Sequence, residues 1–273
     1  YEGWVEEQAA ACSGMKGDDA AIASRISGRQ RRALRRMRDG LAFIGRDEKA
    51  RQAFALAQEA MRLQMLHVRL LQGNRSTLKT VPRWRPFQLA FMLMALESVL
   101  DPECGEDRKL VDLLWFPTGG GKTEAYLALI AVLAIYRRLR WPAAGSGTSV
   151  IMRYTLRLLT AQQFQRATAL ICALELTRRR KPEKLGYEPI TGGLWVGSAS
   201  TPNTNREALE LLDQIRRGER TEKGLFLDQC PWCGTLIAPP PGDGNLKLGI
   251  RAVGDGIEFF CPNPECEFRD RLP

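Results

Sequence analysis

The stretch Phe116-Pro-Thr-Gly-Gly-Gly-Lys-Thr123 constrains this chain more than any other part of it. Glycine loses more backbone freedom on folding than any other residue, so Gly119, Gly120 and Gly121 in succession mark a main chain that needs positive φ or close approach to a partner. The run lies between an apolar segment, Val111 to Phe116, and a segment of helical composition, Lys122 to Arg140. A loop so placed turns successive N–H groups inward around an anion, and the positive end of the following helix adds to that field. Thr118 and Gly119 to Gly121 then form the cradle, Lys122 reaches the β- and γ-phosphates of a nucleotide, and the Thr123 hydroxyl holds Mg²⁺. Lys122 and Thr123 are the candidate catalytic residues, and ATP with Mg²⁺ the candidate cofactor. Phe116 stands where the general pattern has its first glycine.

Around this loop the chain divides into three textures. Ile22 to Gln72 is rich in Ala, Leu, Arg, Gln and Met, with Phe54, Met61, Met65 and Val68 at helical spacing, Asp47 as N-cap and Gly73 as stop. The spacing predicts a helical N-terminal region over residues 1–80, with the arginine run Arg29 to Arg38 on an exposed face. From 81 to 228 short apolar runs alternate with helical segments: strands over 111–116, 149–154 and 194–196, helices over 122–140, 160–180 and 205–217. That order predicts an α/β fold in which a parallel sheet is flanked by helices and carries the P-loop. Residues 229–273 carry prolines, glycines and cysteines in place of periodicity and form a separate small module.

That module contains Cys230-Pro-Trp-Cys233-Gly and Cys261-Pro-Asn-Pro-Glu-Cys266, four of the chain's seven cysteines. Each pair presents two thiolates from one tight turn, and together they make a tetrahedral Zn²⁺ site. Four thiolates close the coordination shell, so the zinc ribbon is structural, with Trp232 and Phe260 packed over it. The single histidine, His67, lies in an apolar helical stretch and serves packing; alone, it excludes mechanisms that need paired histidines.

A formal net charge of +9 and a pI near 9.4 favour a polyanionic partner. No apolar run approaches membrane-spanning length, the nearest, Tyr126 to Tyr136, being followed by Arg137 and Arg138. No membrane partner is expected. With no signal peptide legible and no disulfide framework, the reading is cytoplasmic.

The loop written Pro-Thr-Gly-Gly-Gly-Lys-Thr resembles that of superfamily 2 helicases, which implies that residues 81–228 are a partial first RecA-like ATP-binding domain, and two further stretches resemble motifs of the same superfamily. Arg85-Pro-Phe-Gln88 is similar to the adenine-reading Q motif, which implies that the Gln88 amide bonds the N6 and N7 edge of adenine. Arg157-Leu-Leu-Thr-Ala-Gln162 is similar to motif Ia, which implies contacts from Arg157, Thr160 and Gln162 to a nucleic-acid backbone. Longer strings resemble the helicase subunits of DISARM anti-phage systems, the DrmA-type proteins: Trp84-Arg-Pro-Phe-Gln-Leu-Ala-Phe91, Asp112-Leu-Leu-Trp-Phe-Pro-Thr-Gly-Gly-Gly-Lys-Thr-Glu-Ala-Tyr126, Met152-Arg-Tyr-Thr-Leu-Arg-Leu-Leu-Thr160, Leu194-Trp-Val-Gly197, Thr201-Pro-Asn203 and Cys230-Pro-Trp-Cys-Gly234. The resemblance implies an ATP-dependent DNA helicase or translocase acting with a DUF1998-bearing partner subunit in phage defence. No Asp-Glu pair in convincing context follows Thr123, and such motors need one together with a second RecA-like domain and its arginine finger. The chain is therefore read as a fragment of a larger motor. Two other readings stand beside this one: a superfamily 2 helicase acting on RNA or in repair, and a zinc-ribbon nucleic-acid-binding module with a degenerate nucleotide site.

Overall fold

The computed structural model describes residues 1–71, 81–115, 117, 119–153, 157–197, 201–219, 227–238 and 248–273, with the main chain alone over 157–162. It divides into two compact units, Tyr1–Gln58 with Arg83–Ser149, and Glu59–Pro82 with Val150–Pro273.

The first unit is helical. It contains α1 (Glu2–Ala11), α2 (Gly17–Arg46), the start of α3 (Glu48–Leu71), α4 (Pro86–Leu100) and α5 (Lys122–Arg140). Asp47 begins α3 as expected, its carboxylate accepting the Ala50 N–H at 2.8 Å. Gly73 lies outside the described residues. Helices α2 and α4 pack with their main chains nearly touching, since a Cβ on Gly40 would fall 2.0 Å from the Leu93 carbonyl oxygen. Helix α5 packs on α4. Its apolar residues are distributed around most of the helix, and Ala125, Leu127, Ala128, Ala131, Val132 and Ile135 join Phe43, Met92, Leu96 and Leu100 in the core. Three arginines in its last turn, Arg137, Arg138 and Arg140, complement the negative end of the helix.

In the second unit α6 (Arg157–Arg180) buries Ala169, Leu170, Cys172, Ala173 and Leu174. Glu175 on this helix is almost fully buried and makes an ion pair with Arg178 at 2.7 Å while accepting the Ile190 N–H at 3.0 Å. These bonds fix the segment that follows the short α7 (Pro182–Leu185). Helix α8 (Asn205–Arg216) is capped by Thr204, whose hydroxyl accepts from the Glu207 N–H at 3.2 Å, and lies against a two-stranded antiparallel hairpin of β1 (Ile250–Val253) and β2 (Gly256–Phe259).

The expected RecA-like parallel sheet is not present among the described residues. Helices occupy most of the described residues, and the hairpin is the one sheet among them. Residues 111–115, 149–153 and 191–197 take no strand assignment, and several of their apolar side chains face solvent, Val111 being 95% exposed, Trp115 86%, Ile151 87% and Trp195 99%, while Leu114, Val150, Met152, Leu194 and Val196 are half-buried. An apolar run of strand length specifies only an extended main chain. A strand also needs a neighbouring ladder to satisfy its N–H and C=O groups, and no such neighbour borders these segments among the described residues. The helices expected over 122–140, 160–180 and 205–217 correspond to α5, α6 and α8.

Candidate functional site

The glycine-rich turn lies at the N-terminus of α5. Gly121 caps that helix with φ 90° and ψ 26°, and Gly119 has φ 78°, both in the left-handed region that disfavours any residue with a Cβ. The Gly120 N–H closes the turn on the Pro117 carbonyl at 3.2 Å, and the Lys122 ammonium reaches the same carbonyl at 3.5 Å. The Tyr126 hydroxyl donates to Thr123 Oγ1 at 3.1 Å. Thr118 and Phe116 lie outside the described residues. An α-helix leaves its first N–H groups without intrahelical acceptors, so this turn presents donors and partial positive charge at one place.

Two side chains at the start of α4 hold the turn from one side. Arg85 Nη1 donates to the Gly120 carbonyl at 2.9 Å, and Gln88 Nε2 donates to the Gly121 carbonyl at 2.7 Å. The Gln88 Oε1 accepts the Arg85 N–H at 2.8 Å, which caps α4. Gln88 is 4% exposed, and a Cβ on Gly121 would lie 2.7 Å from its Nε2. The structure thus brings Gln88 to Gly119, Gly120, Gly121, Lys122 and Thr123, and places its amide on the main chain of the turn. Arg157, Thr160 and Gln162 belong to the second unit, in the first two turns of α6.

The cysteines meet as their spacing implied. The Sγ atoms of Cys230, Cys233, Cys261 and Cys266 all lie within 4.8 Å of one another, with Cys233 to Cys261 at 3.3 Å and Cys230 to Cys266 at 3.9 Å. A tetrahedron of thiolates about 2.3 Å from a central ion has edges of about 3.8 Å, so the four could hold a metal such as zinc. Gly234, at φ 79°, turns the first knuckle, and its N–H bonds the Cys230 carbonyl at 2.9 Å. The Cys261 N–H bonds the Phe268 carbonyl at 2.9 Å and the Cys266 N–H the Asn263 carbonyl at 3.1 Å.

Burial pushes the Cys230, Cys261 and Cys266 thiols up, that of Cys266 to about 12. Burial acts on Cys233 in the same sense, but hydrogen bonds from the Thr235 hydroxyl and main chain and from the neighbouring cysteines outweigh it and bring its thiol down to about 7. Four sulfurs so close cannot all ionise without a compensating charge, and a divalent cation supplies one.

Trp232 backs the cluster. It is buried, donates from Nε1 to Glu267 at 2.9 Å, and meets Phe268 edge to face at 5.9 Å. His67, on the second half of α3, stacks on the Trp232 ring with centroids 3.4 Å apart, and its Nδ1 lies 2.9 Å from the Trp232 carbonyl oxygen. Nδ1 therefore carries the proton. Nothing in the sequence signals this pairing, because 165 residues separate the partners.

No family model matches the chain. In an alignment 258 positions long that covers 86% of the chain, it is 39% identical to the DISARM protein DrmA of Bacillus paralicheniformis. The chain is similar to part of that DISARM protein. The likeness expected from the motif strings is borne out, and the chain spans 22% of the length of that DrmA. No helix among the described residues is long and apolar enough to cross a membrane.

Proposed function

We propose that this chain is the nucleotide-binding part of a DISARM motor subunit, a superfamily 2 helicase or translocase that couples ATP hydrolysis to movement on phage DNA. One observation carries the reading. Arg85 and Gln88 draw the carbonyls of Gly120 and Gly121 toward α4, and in a planar trans peptide each following N–H points the opposite way. The N–H groups of Gly121 and Lys122 are thereby turned outward at the positive end of α5, where an anion is stabilised. Thr118 to Gly121 supply the rest of the cradle, the Lys122 ammonium offsets charge on the outer phosphates, and the Thr123 hydroxyl is a ligand for Mg²⁺. Arg157, Thr160 and Gln162 touch the DNA backbone without reading sequence, which accords with the net charge of +9. Cys230, Cys233, Cys261 and Cys266 bind one structural Zn²⁺, and their closed shell leaves no position for catalysis. A DUF1998-bearing subunit completes the assembly, as the resemblance implies.

The test is phosphate release by the intact protein with and without single-stranded DNA, in wild type and Lys122→Ala. We expect turnover to rise sharply with DNA and to fall by about a hundredfold or more in the variant, the scale on which removal of one phosphate-stabilising group acts. DNA binding should persist in Lys122→Ala. Turnover indifferent to nucleic acid would overturn the motor reading.

A further inference from the structure

One arginine of the α2 run points inward. Arg36 has 6% of its side chain exposed, and its two terminal nitrogens donate to the two Asp112 carboxylate oxygens at 2.5 Å and 2.9 Å. One of them also reaches Ser98 Oγ on α4 at 3.3 Å. The Arg36 Nε is buried with no acceptor among the described residues. A guanidinium so placed is tolerated only while its carboxylate stays opposite it. Arg32 and Arg35 hold Asp107 from side chains 51% and 53% exposed, where an ion pair contributes little.

Asp112 belongs to the extended segment that enters the phosphate loop. Side chains alternate along it: Val111, Leu113 and Trp115 are 95%, 82% and 86% exposed, while Leu114 is half-buried and the Asp112 carboxylate turns to α2. Among the described residues no strand pairs with the segment, so its position depends on side-chain ties. Five residues after Asp112 stands Pro117. Its carbonyl accepts the Gly120 N–H at 3.2 Å and the Lys122 ammonium at 3.5 Å, so the place of Pro117 sets where the loop opens. Two parallel bonds from Arg36 fix the direction of the incoming chain as well as its distance from α2.

We infer that Arg36 and Asp112 are positioning residues for the phosphate loop: the buried pair ties the incoming segment to α2, and triphosphate affinity depends on that tie. The inference rests on the phosphate-binding reading of the loop. With the pair broken, the segment loses its fixed end and the loop must be ordered at the moment of binding. That ordering lowers affinity.

The experiment measures binding of ATP and of inorganic triphosphate to the intact protein, each variant below its own melting temperature. The variants are Asp112→Asn, the double variant Arg36→Met with Asp112→Leu, and Gly40→Ala. The double variant removes both charges and leaves no uncompensated cation inside, which guards against loss of folding. Gly40→Ala disturbs the packing of the same helix on α4 and leaves the pair in place. We expect both ligands to weaken about tenfold, the equivalent of ~1.4 kcal/mol, in Asp112→Asn and in the double variant, and to bind Gly40→Ala as they bind wild type. A merely structural pair would return affinity together with stability in the double variant. Wild-type affinity in either variant of the pair, or an equal loss in Gly40→Ala, would overturn the inference. Failure of wild type to bind either ligand, or binding indifferent to Lys122→Ala, would instead overturn the phosphate-loop reading and the inference with it.

Discussion

Cys233 differs from its three partners because Thr235 solvates it: the hydroxyl lies 3.2 Å from the sulfur and favours the thiolate, whereas burial keeps the other thiols protonated. A metal must displace those protons, so the cluster closes only when all four sulfurs contribute. Elemental analysis of the intact protein is expected to find one zinc for each cluster, and none there in a Cys230→Ser, Cys261→Ser double variant. Zinc content unchanged in the variant would sink the assignment. Cysteine pairs of this kind are legible because the geometry of each knuckle is local: the first spans four residues and needs only the left-handed glycine that follows it. The roles of His67 and Gln88 were not legible in the same way, because each bonds a carbonyl far along the chain, and a main-chain acceptor leaves no mark in the sequence.

Among the elements, the contact of α2 with α4 depends most on a single position. With only a hydrogen on Gly40, the Leu93 carbonyl can approach to where a methyl would stand. Gly40→Ala must push the helices apart or bend one of them, and overpacking of this kind costs about 1–3 kcal/mol. Thermal melting should show the loss; a variant as stable as wild type would mean that the helices do not meet at this point. Helices were the readable part of the fold. Lys122–Arg140 has the bounds its composition implied, and α6 begins three residues before the expected Thr160. Strands were not, because apolarity over five or six residues says nothing about whether a partner exists. Val111 and Trp115 have the residue types of a buried strand and stand in solvent, while Asp112 between them is held by the buried Arg36 at 2.5 Å and 2.9 Å.

At the scale of the whole molecule, the chain spans less than a quarter of the length of its DrmA relative, so the proposed motor cycle is to be tested on the intact protein. One part of that cycle is testable through α6 alone. If Arg157 contacts a phosphate, Arg157→Ala in the intact protein weakens DNA binding equally for all sequences and lowers the slope of log affinity against log salt by about one. Nucleotide binding should be unaffected. A fall in nucleotide affinity with an unchanged salt slope would assign Arg157 to a different site. The net charge of +9 contributes to the same dependence, but it is spread over many side chains, and several arginines of α2 already face carboxylates, Arg32 and Arg35 sharing Asp107.

The stacking of His67 on Trp232 has a spectroscopic side. This chain has one histidine, and an imidazole whose centre lies 3.4 Å from an indole sits in the shielding cone of the larger ring. Its ring protons resonate upfield of ordinary imidazole signals for as long as the first cysteine knuckle keeps its shape. The geometry that joins α3 to the cysteine module thus supplies its own magnetic label, one that reads the order of the knuckle without any added probe.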